Sequence, residues 1–290
     1  MVDASEAVAC PICGPAPSNA FATSNGFRIV RCEGCSLLYV NPRRPATKIA
    51  QHYEKDYIDT IERVEHDFSA MRVPSLRRES LVIQQLRPGG GRLLDIGTAS
   101  GAFLSHFVGK PSWKPEGVEP SRFAARYAQR HLGVPIHCGL LNDARLPDAS
   151  FDVVTSLDAF YFHPDPQADL TEIRRILRPS GIVAIEIPGL RFRLMKNKGL
   201  LCYLLYGRPV QLNAGLHLYF YSRKTLSRLL AKHGFELLAV APEQSPVYGS
   251  WLLRAVNHTY FAVSAALYRV TGGRCNVCPK ELLIYQKIDR

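Results

Sequence analysis

The 290-residue sequence has few acidic side chains, 25 aspartates and glutamates against 36 lysines and arginines, so its formal net charge is +11. The deficit is local, because only four acidic residues against fifteen basic ones follow position 189. Acidic and basic residues balance over the rest of the chain. The last third therefore sets the electric field of the molecule, which suits an anionic substrate, a nucleic acid or an acidic membrane surface.

The sequence also lacks an uninterrupted apolar run of membrane-spanning length, and it lacks a cationic start followed by an apolar signal core. We therefore expect a cytoplasmic protein in a reducing compartment, where paired cysteines are more often metal ligands than disulfides. Apolar residues make up 47% of the chain and charged residues 21%, which excludes a disordered protein. The length allows one large core or two domains.

Two Cys-x-x-Cys pairs lie near the start of the chain. Their members are Cys10, Cys13, Cys32 and Cys35. Four thiolates are enough to close a tetrahedral zinc site, and the apolar segments 27–30 and 37–40 predict short strands beside the second pair, as in a zinc ribbon. Because the protein would fill all four positions, we predict structural Zn²⁺, with a redox or disulfide role as the alternative.

Residues 92–108 predict a buried strand, a glycine-containing turn and an amphipathic helix in succession. Asp95 lies near the carboxyl end of the strand, and Gly97 and Gly101 flank a turn of small residues. Such a turn lets the backbone approach a ligand closely and presents free N–H groups at a helix start. The helical spacing is that of Phe103, Leu104, Phe107 and Val108.

This stretch resembles the first motif of the class I S-adenosylmethionine (SAM) methyltransferases, in which an acidic strand end precedes a Gly-x-x-x-Gly turn. Ala99 stands where many members of that family have a third glycine. Segments 113–119, 146–155 and 178–187 match further family motifs in the correct order, so the resemblance covers roughly residues 88–242. It implies an α/β fold with a doubly wound, mostly parallel, seven-stranded sheet of Rossmann-like type, to which the small N-terminal zinc ribbon is added.

The resemblance also assigns residues to SAM. Glu119 lies where the family binds the two ribose hydroxyls, and it follows Asp95 by 24 residues, close to the ~20 typical of dinucleotide folds. Leu141 and Asn142 precede the fourth strand, in the segment that lines the adenine. The residues predicted to bind the cofactor are Asp95, Gly97, Thr98, Gly101, Phe103, Glu119, Leu141, Asn142, Leu157 and Asp158.

We predict three parts: a zinc-ribbon-like module (1–45), a helical linker (46–87) and a methyltransferase domain (88–290) with insertions near 190–215 and 243–275. The insertions are interpreted as a lid over the acceptor, a dimer surface, or a helix lying on a membrane. Elsewhere the patterns predict helices at 48–57, 121–132 and 171–177, a turn at 178–181, strands at 135–138, 182–187, 235–241 and 281–287, and a helix between a Ser222 cap and Gly234.

Methyl transfer from a sulfonium is an in-line displacement, for which a protein chiefly supplies proximity and orientation. Carbon and oxygen acceptors also need a proton removed, and histidine is the commonest base near neutral pH. The two candidate catalytic residues are His163, which follows the fourth strand, and His217, which precedes the sixth. Either one is otherwise a structural hydrogen-bonding residue.

The sequence thus predicts a SAM-dependent methyltransferase with a small, anionic acceptor, and ribbon-bearing relatives imply a nucleotide sugar or a natural-product intermediate. Arginines of the last third would bind a diphosphate. One alternative is an RNA-binding or RNA-modifying protein, although the ribbon is charge-neutral and has no aromatic–basic array. The other is a peripheral membrane methyltransferase acting on a lipid-linked acceptor. A homodimer through one insertion is compatible with each of these.

Overall fold

The computed structural model describes residues 5–49, 72–207, 211–215, 217–245 and 250–288. The strands are β1 (Ser18–Ser24), β2 (Phe27–Cys32), β3 (Leu38–Val40), β4 (Gly91–Ile96), β5 (Trp113–Glu119), β6 (Ile136–Cys138), β7 (Phe151–Leu157), β8 (Leu177–Pro188), β9 (Tyr219–Phe220), β10 (Phe235–Glu243) and β11 (Lys280–Lys287). The helices are α1 (72–86), α2 (Arg122–Leu132), α3 (Pro166–Ile176), α4 (Leu190–Asn197), α5 (Leu200–Tyr206), α6 (Arg223–Lys232) and α7 (Trp251–Val270).

The central sheet has seven strands in the order β10-β11-β8-β7-β4-β5-β6. Strands β8, β7, β4, β5 and β6 are parallel, and β11 pairs antiparallel with both β8 and β10. The predicted mostly parallel, seven-stranded α/β fold is therefore confirmed. The chain leaves β4 towards β6 on one side and returns to β7 on the other, so the sheet has a switch point at the carboxyl ends of β4 and β7, where open α/β sheets bind ligands.

Side chains of the central strands alternate between two apolar cores, one on each face of the sheet. Leu94, Val154 and Val183 belong to one core. Their chain neighbours Leu93, Val153 and Ile182 belong to the other. These residues are also paired across β4, β7 and β8. Burial on both faces explains why each strand is a continuous apolar run in the sequence.

The segment after β4 differs from the prediction. Instead of an amphipathic helix it forms only a short 3₁₀ helix, Leu104–His106. Gly101 and Gly109, with φ of +82° and +75°, bound this segment. Phe103, Leu104 and Phe107 are buried there, whereas Val108 is 38% exposed.

Two other elements have different bounds from those predicted. The predicted stretch 171–177 is the second half of helix α3, which ends one residue earlier, at Ile176. The helix starts at Pro166, where the Asp165 side chain caps it by accepting hydrogen bonds from the N–H groups of Gln167 and Ala168. The expected turn at 178–181 lies inside β8, where it bulges outward: Leu177 pairs with Phe151, and Ile182 is the next paired residue. The predicted Ser222 cap of α6 is confirmed.

The cysteine-rich part forms a four-stranded antiparallel sheet, β1-β2-β3-β9. Strands β2 and β3 were predicted, whereas β1 was not. The fourth strand comes from the other part of the chain, with Tyr39 paired to Tyr219 and Leu38 to Phe220. The ribbon therefore shares both a sheet and an apolar core with the rest of the molecule. The domain boundaries at 45 and 87 stay predictions.

The linker and the two insertions are helical where they are described. Helix α1 buries Leu76 and Ile83 and leaves Leu81 48% exposed. A helical turn covers 46–49, and the remainder of the helix predicted at 48–57 lies outside the described residues. The insertions contain α4, α5 and α7. None of the described helices combines the length and apolarity needed to cross a bilayer.

Candidate active site and metal centre

The backbone bends sharply after β4 at residues 97–101. Gly97 has φ of +75°, and a Cβ there would lie 2.8 Å from the Cβ of Ala159. Ala99 is also in the left-handed region, with φ of +51°. This is the position at which many relatives have glycine, so the alanine is strained there. The bend places two backbone segments, 97–101 and 158–159, in close contact at the switch point of the sheet.

Glu119, at the end of β5, lies directly against this bend. Its Oε2 accepts a hydrogen bond from the N–H of Ala99, and its Oε1 accepts one from the N–H of Ser121, both at 2.9 Å. The side chain is buried, with 2% exposure. The structure therefore brings together two features that are 20 residues apart in the sequence, as the predicted ribose-binding role requires.

Asp95 is buried beneath the bend. Its Oδ1 accepts a hydrogen bond of 2.6 Å from the Thr155 hydroxyl on β7. Burial raises the pKa of this carboxyl to about 6, although the hydrogen bond from Thr155 opposes the shift. Such a carboxylate is poorly solvated, so it is suited to bind a cationic or hydrogen-donating group.

The remaining predicted cofactor residues lie in different surroundings. Leu157 ends β7 and Leu141 begins a 3₁₀ helix, and both are buried, whereas Asn142 is exposed. Thr98 is buried within the bend. Phe103 packs in the apolar core with its ring 5.2 Å from that of Phe107. Contact of each of these with a cofactor stays a prediction.

Asp158 belongs to a network of buried charges at the carboxyl ends of β7 and β8. It has φ of +60°, it accepts a hydrogen bond of 2.6 Å from the Tyr161 hydroxyl, and it forms an ion pair with Lys280. Arg72 lies 3.9 Å away. Burial would raise the pKa of the Asp158 carboxyl, but Lys280 and Arg72 outweigh it and hold that pKa well below its usual value. Asp158 is therefore a fixed negative charge at the ligand-facing edge of the sheet.

Glu186 and Glu79 extend this network. Glu186 on β8 pairs with Arg72 at 2.8 Å and with Lys280 at 3.2 Å. Glu79 on α1 is fully buried, and its oxygens have no hydrogen-bond partner among the described residues. Burial, together with the charge of Glu186, raises the pKa of Glu79 well above its usual value, which favours its neutral form.

Sequence reasoning missed Arg72, Glu186 and Lys280, because they come from α1, β8 and β11. Of these three residues, only Glu186 could have been identified from the sequence, because an acidic residue inside the apolar run of a central strand is unusual.

His217 lies within an aromatic and cationic cleft. Its ring stacks on that of Tyr161 with centroids 4.4 Å apart, and its Nδ1 is 3.1 Å from Nη1 of Arg193. Because a guanidinium only donates, Nδ1 must accept, which leaves the proton on Nε2. Burial, with the nearby charge of Arg193, lowers the pKa of His217 well below its usual value. His217 is therefore neutral and held in one tautomer.

Arg193 has no carboxylate in direct contact among the described residues, although the charge of Asp158 acts on it from a distance. Its Nη2 donates to the carbonyl of Leu212 at 2.6 Å, and its guanidinium lies 5.2 Å from the centroid of the Phe220 ring. No described ion pair includes it, and burial lowers its pKa. A partly buried guanidinium of this kind, beside Tyr161 and His217, is a ready anion-binding group.

His163 has a different arrangement. Its Nδ1 is 2.7 Å from Oδ2 of Asp169 at the start of α3, and its side chain is 17% exposed. A carboxylate at Nδ1 favours the tautomer in which Nε2 can accept a proton. The structure thus brings the two predicted catalytic histidines into the region that follows β7 but leaves them in opposite hydrogen-bonding states.

The four predicted metal ligands come together at one point. The Sγ atoms of Cys10, Cys13, Cys32 and Cys35 all lie within 4.8 Å of one another. Those of Cys10 and Cys35 are 3.5 Å apart, close to the ~3.8 Å expected between thiolates at zinc–sulfur distances of ~2.3 Å in a tetrahedron. A Cβ at Gly34 would lie 3.0 Å from Sγ of Cys13, so the second pair needs glycine for this approach. The donor set fits Zn²⁺.

Comparison with known proteins agrees with this fold. A model of a methyltransferase domain family matches residues 63–240, more than half of the chain. A probable phthiotriol/phenolphthiotriol dimycocerosates methyltransferase of Mycobacterium ulcerans is 29% identical over 99 residues, which cover 33% of this chain and 38% of that protein. A tRNA U34 carboxymethyltransferase of Syntrophotalea carbinolica is 30% identical over 103 residues, which cover 33% and 32%. This chain therefore spans less than two fifths of either curated relative.

Among solved structures, the 1,6-didemethyltoxoflavin-N1-methyltransferase of Burkholderia thailandensis, with bound 1,6-didemethyltoxoflavin and S-adenosylhomocysteine, superposes with a TM-score of 0.54. The match covers 93% of this chain and all of that one at 16% identity, which shows a shared fold. With a family match over more than half of its length, the chain belongs to the methyltransferase domain family, and it has the fold of the class I SAM-dependent methyltransferases.

Proposed function

We propose that this protein transfers a methyl group from SAM to a small molecule that carries an anionic group. The observation that supports this best is the contact between the buried Glu119 carboxylate and the bend at 97–101. It lies at the switch point of the sheet, where a nucleotide would meet a carboxylate and a backbone free of large side chains.

The residues around the bend fit SAM in separate ways. Glu119 would accept hydrogen bonds from both ribose hydroxyls, and the backbone N–H groups of the small-residue bend at 97–101 would face the amino-acid end of the molecule. Asp95 and Asp158 place negative charge at the same edge of the sheet. Bound SAM supplies a methyl group already activated by its sulfonium, so the task of the protein is to position the acceptor in line with it.

On the acceptor side, Arg193 supports an anionic substrate. It lies with His217 and Tyr161 near the carboxyl ends of β7 and β8, and no described carboxylate forms an ion pair with it. A phosphate or carboxylate of the acceptor would form charge-assisted hydrogen bonds with its guanidinium. The basic last third would attract such a ligand from solution. A nucleotide sugar or an acidic natural-product intermediate has this chemistry.

The hydrogen-bonding states of the two histidines divide their proposed roles. With Asp169 at its Nδ1, His163 can accept a proton at Nε2, so it is the better candidate for the base. With Arg193 at its Nδ1, His217 presents an N–H, so it would donate a hydrogen bond to the acceptor. Zn²⁺ in the ribbon would be structural, because four protein ligands leave no open position.

RNA modification is a second candidate, supported by the name of the Syntrophotalea relative and by the basic last third. Filter binding separates the two proposals, because a complex with RNA weakens steeply as salt is added. A homodimer remains part of either proposal, and light scattering measures it directly.

Titration calorimetry with SAM tests the proposed function. We expect Glu119→Gln to weaken SAM binding at least about tenfold, because an amide can no longer accept both ribose hydroxyl protons. Glu236→Gln is the matched control, since Glu236 is an exposed acid on β10. Equal SAM affinity for the wild type and both variants, or no SAM binding by the wild type, contradicts the proposal.

A further inference from the structure

Helix α7 exposes a continuous apolar face. Leu252, Val256, Val263, Leu267 and Val270 are between 43% and 87% exposed. Their spacings of 4, 7, 4 and 3 residues place them on one side of the helix. At ~1.5 Å per residue the helix is ~30 Å long, so this face extends well beyond an isolated surface leucine or valine.

The opposite side of α7 is attached to the fold. The Tyr260 hydroxyl donates to the carbonyl of Val277 at 2.8 Å, and the Asn257 amide donates to the carbonyl of Ser245 at 3.0 Å. The guanidinium of Arg78 lies 5.9 Å from the centroid of the Phe261 ring. The helix is therefore docked through one side, and its apolar face is left to the outside.

The other insertion also exposes large apolar side chains. On α5, Leu200, Tyr203 and Leu204 are 59–74% exposed. The insertions meet where the ring of Phe192 on α4 lies 5.2 Å from that of Tyr260 on α7. Large exposed apolar side chains are thus concentrated on helices α4, α5 and α7, which we call the insertion surface.

The charged residues of the insertion surface indicate which kind of partner it can bind. Helices α4, α5 and α7 contain no aspartate or glutamate, whereas Arg191, Lys196, Arg254 and Arg269 are exposed on them. Two copies meeting through this surface would oppose cations without any carboxylate to pair them. An anionic bilayer offers the complement, because its phosphates attract the cations while its acyl region accepts leucine and valine.

We propose that the insertion surface binds an anionic membrane as a peripheral contact, with α7 lying in the plane of the lipid headgroups. Trp251, at the start of α7 and 78% exposed, fits the headgroup level that tryptophan prefers. The absence of a membrane-spanning helix among the described residues agrees with a contact that lies on the bilayer. This proposal does not depend on the proposed acceptor.

Vesicle flotation with the full chain tests it. We expect the protein to float with vesicles of phosphatidylcholine and phosphatidylglycerol in equal parts, and to bind phosphatidylcholine alone much less. The double variant Val256→Asp/Val263→Asp should reduce binding to the anionic vesicles at least about tenfold, because carboxylates then face the acyl region. Leu81→Asp/Leu140→Asp is the matched control, since both leucines are 48% exposed elsewhere. Thermal unfolding confirms that each variant is folded.

Three results would overturn the proposal. The wild type could fail to float with either vesicle, or both double variants could lose binding equally. In the third case, light scattering would show a dimer that Val256→Asp/Val263→Asp abolishes while vesicles remain unbound, which assigns the surface to a second copy of the chain. SAM affinity measured on the same samples distinguishes each of these from a failure of the proposed function.

Discussion

Asp95 should reduce the stability of the ligand-free protein. Because its pKa is about 6 in the folded state and 3.8 ordinarily, the folded state retains a proton between these pH values that the unfolded chain has released. Stability therefore falls as pH rises through this window and stays lower at pH 7. We expect Asp95→Asn to raise the free energy of unfolding at pH 7 by about 1–3 kcal/mol and to weaken SAM binding. Urea unfolding and calorimetry measure both effects, and a loss of stability without a loss of affinity would contradict the assignment.

His217 gives the opposite dependence on pH. Burial lowers its folded pKa well below 6.5, so the unfolded chain binds a proton that the folded chain does not. Stability falls as pH drops below 6.5, by up to about 1.4 kcal/mol per pH unit from this residue. In His217→Gln that contribution should disappear. Urea unfolding of both proteins from pH 7.5 to pH 5 measures it, and parallel curves would show that His217 titrates normally.

Some residues of the candidate site could be predicted from the neighbouring sequence, and others could not. Asp95 and Glu119 were identifiable because each ends an apolar strand, and parallel strands bring such ends together. Arg72, Glu186 and Lys280 were not, because their ion pairs join α1, β8 and β11 across more than 90 residues of sequence. The states of the two histidines depend on Arg193 and Asp169, and only the folded chain shows those contacts.

Strand β9 connects the four-cysteine cluster to the segment that carries His217. It pairs with β3, the N–H of Val40 donates to the carbonyl of Leu218, and His217 directly precedes these residues. Removal of the metal with a chelator under reducing conditions should therefore increase amide hydrogen exchange at 218–220 as well as at 27–40. Helix α2, at the far side of the sheet, is the internal control.

Mass spectrometry of the exchanged protein would measure this effect, and Cys13→Ser should reproduce it without a chelator. If exchange rises only in the cysteine-rich segments, the two parts are mechanically independent. If α2 exchanges equally fast, the chelator has unfolded the whole protein and the local coupling is wrong.

Elements were predictable where their determinants are local. Strands β4 and β7 follow from apolar runs, and α6 follows from its Ser222 cap. The helix expected after Gly101 is only the 3₁₀ turn Leu104–His106. Helix α5 has the same length as the segment 102–108 and also lies between two glycines of positive φ, so glycine spacing alone does not predict which of the two is a regular helix. Strand β9 has only two residues, and its partner β3 is distant in sequence, so no local pattern indicates it.

The uneven charge of the whole molecule should appear in its kinetics. All of the excess positive charge lies after position 189, where Arg193, His217 and the insertion surface also lie. Raising ionic strength from about 0.05 to 0.3 M should raise KM for an anionic acceptor about three- to tenfold, because screening removes the long-range attraction. SAM affinity should change less than about twofold. Initial rates at several salt concentrations test this, and equal changes for both ligands would contradict it.

The pairing of β3 with β9 also orders events during synthesis. The two strands are about 180 residues apart, so at about 5–20 residues per second the first three ribbon strands wait roughly ten to forty seconds for the fourth. The cysteine knuckles leave the ribosome early and can take up metal, while the edge of β3 stays bare until most of the chain has emerged. Until β9 is synthesised, the unpaired edge of β3 in the nascent ribbon can therefore pair with strands of other proteins. The ribbon sheet is completed last, when the segment that carries His217 pairs with β3.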